Sequence, residues 1–168
     1  MANCCWYDMV AVAPKKETLE RLIKIMNYED DEYFIYRCRS CSSDEIVFDE
    51  KSNLYYVGIQ GDVAWSCEKW FETVENKNEL MVNGTAHYIT LDLLCQKLDF
   101  GLEVFAEENG CCFQEHHTVD HNGEHYGESE EWHEEWFDED GNELDEPISV
   151  GGFDYYLQFG TYEEIYGE

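Results

Sequence analysis

The chain has 168 residues and a formal net charge of −29, with 43% hydrophobic and 15% aromatic residues. This composition is too apolar for a disordered acidic tail, and its charge excludes a protein that holds nucleic acid by overall positive charge. The length fits one domain with a core of its own.

The negative charge is concentrated in the C-terminal part of the chain. Residues 98–168 contain 22 Asp and Glu and no Lys or Arg, so they carry −22 of the total. Such self-repulsion lowers folding stability, which indicates that a partner or an environment uses the charge. About 22 charges correspond to roughly 37 Å of duplex DNA, near the roughly 40 Å diameter expected for a folded chain of this length. The acidic surface is therefore expected to imitate a nucleic acid.

The N-terminus has no basic region followed by an apolar stretch, and no window approaches 18 apolar residues. These features predict a cytoplasmic protein without a signal peptide or a membrane span. In a reducing cytosol, the eight cysteines are expected to carry free thiols.

The predicted elements of the first 110 residues alternate between strands and helices. A strand over 7–13 precedes a helix over 17–27, and further strands are predicted over 34–38, 46–48 and 54–59, with a loop from residue 38 to 44. A second helix is predicted after Thr90 as its N-cap, with Gly101 as its stop signal and a strand over 102–107. This order is typical of the split βαβ pattern of ferredoxin-like folds, an antiparallel sheet with two helices on one face.

Turn signals organise the C-terminal third. His121-Asn122-Gly123-Glu124 and the Asp-Glu-Asp-Gly-Asn sequence at 138–142 predict hairpin turns of type I′. Residues 128–137 fit a helix or a strand, with a preference for a helix or irregular structure, and residues 153–159 predict a closing strand. The sequence therefore predicts an α+β fold: a ferredoxin-like core over residues 1–110 and acidic hairpins over residues 111–168, packed on the same domain.

Three segments resemble a known family. They are Met1-Ala2-Asn3-Cys4-Cys5-Trp6-Tyr7 before Met9-Val10-Ala11-Val12, Gly61-Asp62-Val63-Ala64-Trp65-Ser66-Cys67, and residues 93–98 with Leu102-Glu103-Val104-Phe105-Ala106-Glu107-Glu108-Asn109-Gly110 before the Asn122-Gly123 turn. Together they cover about the first 125 residues and resemble the YubB-type ferredoxin-like domains of plasmid and bacteriophage proteins. The resemblance implies a ferredoxin-like fold and an origin in a mobile element of a bacterial host; it implies no catalytic residues.

The candidate partner-binding residues are the acids of the C-terminal third and two tryptophans among them. They are Glu115, Asp120, Glu124, Glu128, Glu130, Glu131, Trp132, Glu134, Glu135, Trp136, Asp138, Glu139, Asp140, Glu143, Asp145 and Glu146. These two tryptophans and the neighbouring Phe137 favour an interface, because interfaces place aromatic anchors inside a charged rim. The alternative is a solvated face that only keeps the protein soluble.

Histidines also cluster in this third, and imidazole with carboxylate suits zinc or manganese. The candidate ligands are His116, His117, His121 and His133. Their spacing contains no His-Glu-x-x-His pattern, and Cys38-x-x-Cys41 is a single pair. The sequence therefore predicts no metal site and no other cofactor.

These features predict a protein that is not an enzyme and whose acidic third binds and occludes the basic nucleic-acid channel of a host defence enzyme. A CRISPR effector or a restriction enzyme is the expected partner, and neither nucleic acid nor membrane is expected to bind directly. Two alternatives stay open. One is a metal-dependent enzyme that uses the histidine and carboxylate cluster, and the other is an acidic scaffold for a basic host protein.

Overall fold

The computed structural model describes residues 4–73 and 86–168 of the chain. Within these ranges the protein is α+β, with a mostly antiparallel sheet and three α-helices. The strands are β1 Cys4–Ala13, β2 Tyr33–Phe34, β3 Cys38–Ser43, β4 Val47–Asp49, β5 Leu54–Ala64, β6 His87–Tyr88, β7 Gly101–Glu108, β8 Phe113–Val119, β9 His125–Phe137 and β10 Glu143–Gly151. The helices are α1 Lys16–Met26, α2 Leu91–Leu98 and α3 Tyr162–Tyr166.

The main sheet has eight strands. Seven strands follow the order β10-β9-β8-β7-β1-β5-β3. The eighth strand, β4, pairs with β5 and continues the edge that β3 forms. A separate parallel pair joins β2 to β6. The predicted α+β class and antiparallel sheet are confirmed, and the C-terminal strands β8, β9 and β10 extend one edge of this sheet. None of the described helices is long and apolar enough to cross a membrane.

The two faces of the sheet are covered by different parts of the chain. Alternate residues of β1, such as Tyr7 and Met9, pack with the apolar sides of α1 and α2 in one large buried cluster. Val12, on the other face, packs with Leu54 and with Ile165 of α3 in a smaller cluster. The C-terminal residues therefore cover the face opposite α1 and α2.

The end of α2 differs from the prediction. Asp99, with φ of 63°, occupies the left-handed position after the helix, and Gly101 is the first residue of β7. A Cβ atom at Gly101 would lie 2.1 Å from the carbonyl oxygen of Ile165. Glycine at this position therefore allows the close approach of α3; it does not end α2.

Three predictions of local structure are wrong. Residues 128–137 lie within a strand, because β9 pairs with β8 over its first part and with β10 over its last part. Residues 38–43 form β3, because they pair with the edge of β5. Residues 153–159 contain a turn over 154–157 and no strand, and three of their rings pack onto Phe105 of β7.

Both predicted hairpins are confirmed, but their loops are five residues long and are not type I′ turns. Each loop begins with an aspartate, Asp120 or Asp138, whose carboxylate accepts hydrogen bonds of 2.8 to 3.0 Å from the backbone N–H groups two and four residues later. The fourth residue, Gly123 or Gly141, has φ above 80°. The two hairpin loops therefore share one Asp-x-x-Gly-x structure, with a single left-handed residue that glycine adopts without strain.

Candidate functional site

A two-stranded ribbon projects from the edge of the sheet. Strand β9 has 13 residues, and its first part pairs with β8 up to Glu131. From Trp132 onward β9 pairs with β10. We call residues 130–151 the acidic ribbon.

Most acids of the acidic ribbon face solvent. It contains ten carboxylates, of which only Asp138 in the loop is half-buried. The exposed ones are Glu130, Glu131, Glu134, Glu135, Glu139, Asp140, Glu143, Asp145 and Glu146. The structure therefore brings together ten of the acids that the sequence proposed as partner-binding, with Trp132 and Trp136 between them.

The acidic ribbon also exposes large apolar side chains. Trp136 is 48% exposed, Phe137 is 58% exposed and Ile148 is 53% exposed. Since successive strand residues point to opposite faces, Trp136 and Phe137 place an aromatic ring on each face near the loop. The sequence proposed both Trp136 and Phe137 as aromatics that favour an interface, and it missed Ile148.

No lysine or arginine neutralises these acids within the described ranges. The ion pairs of the basic side chains, such as Arg21 with Asp30 at 3.0 Å and Lys69 with Glu72 at 2.5 Å, involve acids of the first 97 residues. Among the ribbon acids, Glu135 lies 3.1 Å from His133. The ribbon is therefore a strongly negative surface without an internal cationic partner.

The other proposed partner-binding acids lie away from the ribbon. Glu124 is exposed and Asp120 is half-buried, and both belong to the loop between β8 and β9. Glu128 is half-buried and Glu115 is only 4% exposed. The predicted surface thus separates into the acidic ribbon and four acids outside it, of which only Glu124 is exposed.

Glu115 has an internal role. Its carboxylate accepts hydrogen bonds from the Ser66 hydroxyl at 2.5 Å and from the Cys67 backbone N–H at 2.8 Å. Burial by itself would raise the pKa of Glu115, but the nearby His117 ring and these hydrogen bonds together lower its pKa. Glu115 is therefore a buried carboxylate that ties the loop after β5 to β8, and it is not available to a partner.

The neighbouring histidines of β8 point to opposite faces of the sheet. His116 Nε2 lies 2.8 Å from Glu103 Oε1, and its Nδ1 lies 3.4 Å from Glu128 Oε1. The ring stacks on Phe105, and the Tyr155 hydroxyl donates a hydrogen bond to Glu128. The His116 ring therefore lies between the carboxyl groups of Glu103 and Glu128, beneath the C-terminal segment.

On the other face, His117 forms a pair with His125. His117 Nδ1 lies 3.1 Å from His125 Nε2, and Phe71 stacks on the His125 ring with centroids 3.8 Å apart. Burial and the adjacent His117 lower the pKa of His125. The sequence prediction left His125 out of its candidate ligands. The loop length is the signal that could have identified this pair. A five-residue loop over 120–124 pairs Val119 with His125, and this register places His125 diagonally across from His117 on the same face of the sheet.

The four candidate metal ligands are not brought together. His116 and His117 occupy opposite faces, His121 stacks on Tyr166, and His133 lies on the acidic ribbon beside Glu135. In the part of the chain that the structure describes, no group of three or more His, Cys, Asp or Glu side chains is arranged to hold a metal ion.

Comparison with protein-family models, with curated proteins and with solved structures found no match for this chain. The resemblance to YubB-type domains therefore stays a prediction.

Proposed function

We propose that this protein is an acidic nucleic-acid mimic of a mobile element, which binds and occludes the basic nucleic-acid channel of a bacterial defence enzyme. A CRISPR effector or a restriction enzyme is the class of partner that we propose. The observation that carries the proposal is the acidic ribbon, with nine exposed carboxylates and without a lysine or arginine partner in the described chain.

The mechanism is electrostatic and steric occlusion. Carboxylates form short, charge-assisted hydrogen bonds with the arginines and lysines that otherwise hold phosphates. Complementary charge also speeds the encounter of the two proteins. The exposed rings of Trp136 and Phe137 would add apolar contact area to the charged contacts. Occlusion needs no turnover, so we propose that the protein is not an enzyme.

The location of the acids supports the acidic ribbon, rather than the whole C-terminal third, as the surface that contacts the partner. Three of the 22 acids beyond Lys97 are buried, with 6% exposure for Glu103 and 4% for both Glu108 and Glu115. These carboxylates cannot contact a partner while the fold is intact. The ribbon, in contrast, carries nine exposed acids on β9, on β10 and on the loop that joins these strands.

We further propose that residues 1–110 form a ferredoxin-like core and residues 111–168 an extension on the same domain. The adjacency of β7, β1, β5 and β3, with antiparallel pairing throughout, supports this arrangement. It is the strand order expected when two split βαβ units share one sheet. A function inside an infected bacterial cell agrees with a cytoplasmic location, which is also a proposal.

The proposal is tested with a charge reversal on the ribbon and a matched control. The ribbon variant carries Glu130, Glu131, Glu134 and Glu135 changed to Lys. The control carries Glu17, Glu29, Glu45 and Glu50 changed to Lys, which are exposed acids in the first half of the chain. A tagged protein first captures its partner from a bacterial lysate, and calorimetry with the purified partner then compares the variants.

We expect the captured partner to be a nucleic-acid-binding defence protein from which nucleic acid displaces this protein. The ribbon variant should lose about 100-fold or more in affinity, while the control should stay within about threefold, because paired contacts are local and long-range steering is screened. Equal losses from both variants would show that only net charge matters. Micromolar binding of duplex DNA by the protein itself would also contradict the proposal.

A further inference from the structure

The charge density of the acidic ribbon indicates which form of nucleic acid it resembles. Residues 130–137 of β9 span about 27 Å at about 3.4 Å per residue, and seven carboxylates lie beside this length, four on β9 and three on β10. This corresponds to about one charge per 3.9 Å. A duplex carries one charge per about 1.7 Å of axis, and one of its strands carries one per about 3.4 Å. The ribbon is thus closer to a single strand than to a duplex.

The shape of the ribbon gives the same result. Two paired strands are about 4.8 Å apart, and a sheet with its side chains is about 10 Å thick. A two-stranded ribbon fits into the major groove of a duplex, which is about 12 Å wide. The ribbon is therefore much narrower than the duplex itself. It would occupy only part of a channel built for double-stranded nucleic acid.

The exposed rings provide an independent observation. Proteins that bind single strands combine a basic groove with aromatic side chains on which successive bases stack. Residues i and i+2 of a strand share a face, so Glu134 and Trp136 lie on one face of β9 and Glu135 and Phe137 on the other, and each face near the loop has a carboxylate next to an exposed ring. A polyanion that acted only by charge would need no exposed rings of 48% and 58% accessibility.

We propose that the acidic ribbon imitates single-stranded nucleic acid, and that its partner is a protein channel with basic side chains and aromatic platforms that binds single-stranded DNA or RNA. This inference rests on the proposed function and narrows its partner. Carboxylates of the ribbon would pair with the phosphate-binding residues of the channel. Trp136 and Phe137 would stack where bases stack.

Two displacement assays test the inference. In the first, an OB-fold protein that binds single-stranded DNA holds a fluorescent oligo(dT). In the second, a duplex-binding protein of similar net charge holds a fluorescent duplex. We expect this protein to displace the oligo(dT) at a concentration about tenfold or more below that needed for the duplex, because only the single-strand channel matches both rings and charges.

Two variants with unchanged net charge separate strand mimicry from acidity. Trp136→Ala and Phe137→Ala together should raise the concentration needed to displace oligo(dT) about tenfold, since each base stacked on an aromatic ring contributes substantially to affinity. Phe48→Ala, which removes a ring with 42% exposure on β4, is the matched control and should have no effect.

The outcomes distinguish the inference from the function on which it rests. Preferential displacement of the duplex, or oligo(dT) displacement that is unchanged in the Trp136 and Phe137 variant, would overturn the single-strand inference and leave the nucleic-acid mimic intact. Displacement of neither ligand would also overturn the single-strand inference, whereas the function on which it rests is decided by the captured partner.

Discussion

Glu135 lies directly opposite Ile148 in the antiparallel pairing of β9 and β10. Other glutamates of β9 also lie opposite uncharged residues: Glu134 faces Ser149, Glu131 faces Phe113 and Glu130 faces Gln114. Like charges directly opposite each other destabilise a sheet, so this register keeps the carboxylates of neighbouring strands apart. It explains in part how a sheet with so many acids can form.

We expect Ile148→Glu to destabilise the protein relative to Ile148→Gln, because only the glutamate places a second charge opposite Glu135. The difference in the free energy of unfolding should be up to about 1 kcal/mol at low ionic strength. It should shrink in 1 M salt, where the Debye length is about 3 Å. Urea denaturation followed by circular dichroism measures both values. Equal stability of the two variants at low salt would contradict this explanation.

Glu115→Gln should lower the free energy of unfolding by about 1 to 3 kcal/mol near neutral pH, because a buried carboxylate that accepts two hydrogen bonds is lost. The pKa of Glu115 is lowered in the folded state, so its contribution is present above the ordinary pKa of glutamate. That contribution is lost as the pH falls through the lowered value. The difference in the free energy of unfolding between the wild type and Glu115→Gln should therefore disappear in acid.

The pH series for this comparison uses urea denaturation of both proteins at each pH. Other carboxylates titrate in both proteins, so the difference between them isolates Glu115. A gap that stays constant from neutral pH into acid would show that Glu115 contributes through packing and not as an ionised group.

The pKa of His125 should rise when its partner ring is removed. Burial and the adjacent His117 lower this pKa, so His117→Gln relieves one of the two causes. NMR titration of the histidine ring signals measures the shift. His133→Gln, on the exposed ribbon, is the control and should leave the His125 titration unchanged. An unaltered titration in His117→Gln would mean that burial acts alone.

Asp138→Ala should loosen the end of the ribbon more than Asp140→Ala, although both remove one charge. The Asp138 carboxylate accepts hydrogen bonds from the Asn142 side-chain amide and from the backbone N–H groups of Asn142 and Asp140, which lower its pKa and close the loop. Amide hydrogen exchange of β9 and β10 measures the effect. The same rates in both variants would indicate that the loop does not depend on this carboxylate.

Several features of the protein follow from short stretches of sequence. The apolar spacing of Leu19, Leu22 and Met26 predicts α1, because a helix that covers a sheet needs one apolar face. Gly123 and Gly141 mark the hairpin loops, because a left-handed residue is required at one position in each. The segregation of charge beyond Lys97 is a property of the sequence whatever the fold.

Other features depend on contacts between distant residues. Trp132 and Trp136 have a spacing that suits a helix and a strand equally, and pairing with β8 and β10 decides for the strand. Glu115 and Glu131 lie on adjacent strands of one sheet, yet only Glu115 is buried, and Ser66, 49 positions earlier in the chain, donates a hydrogen bond to its carboxylate. The sequence by itself therefore determined the amount of negative charge. Only the tertiary structure decided which carboxylates reach solvent, because burial depends on long-range pairing that local patterns do not encode.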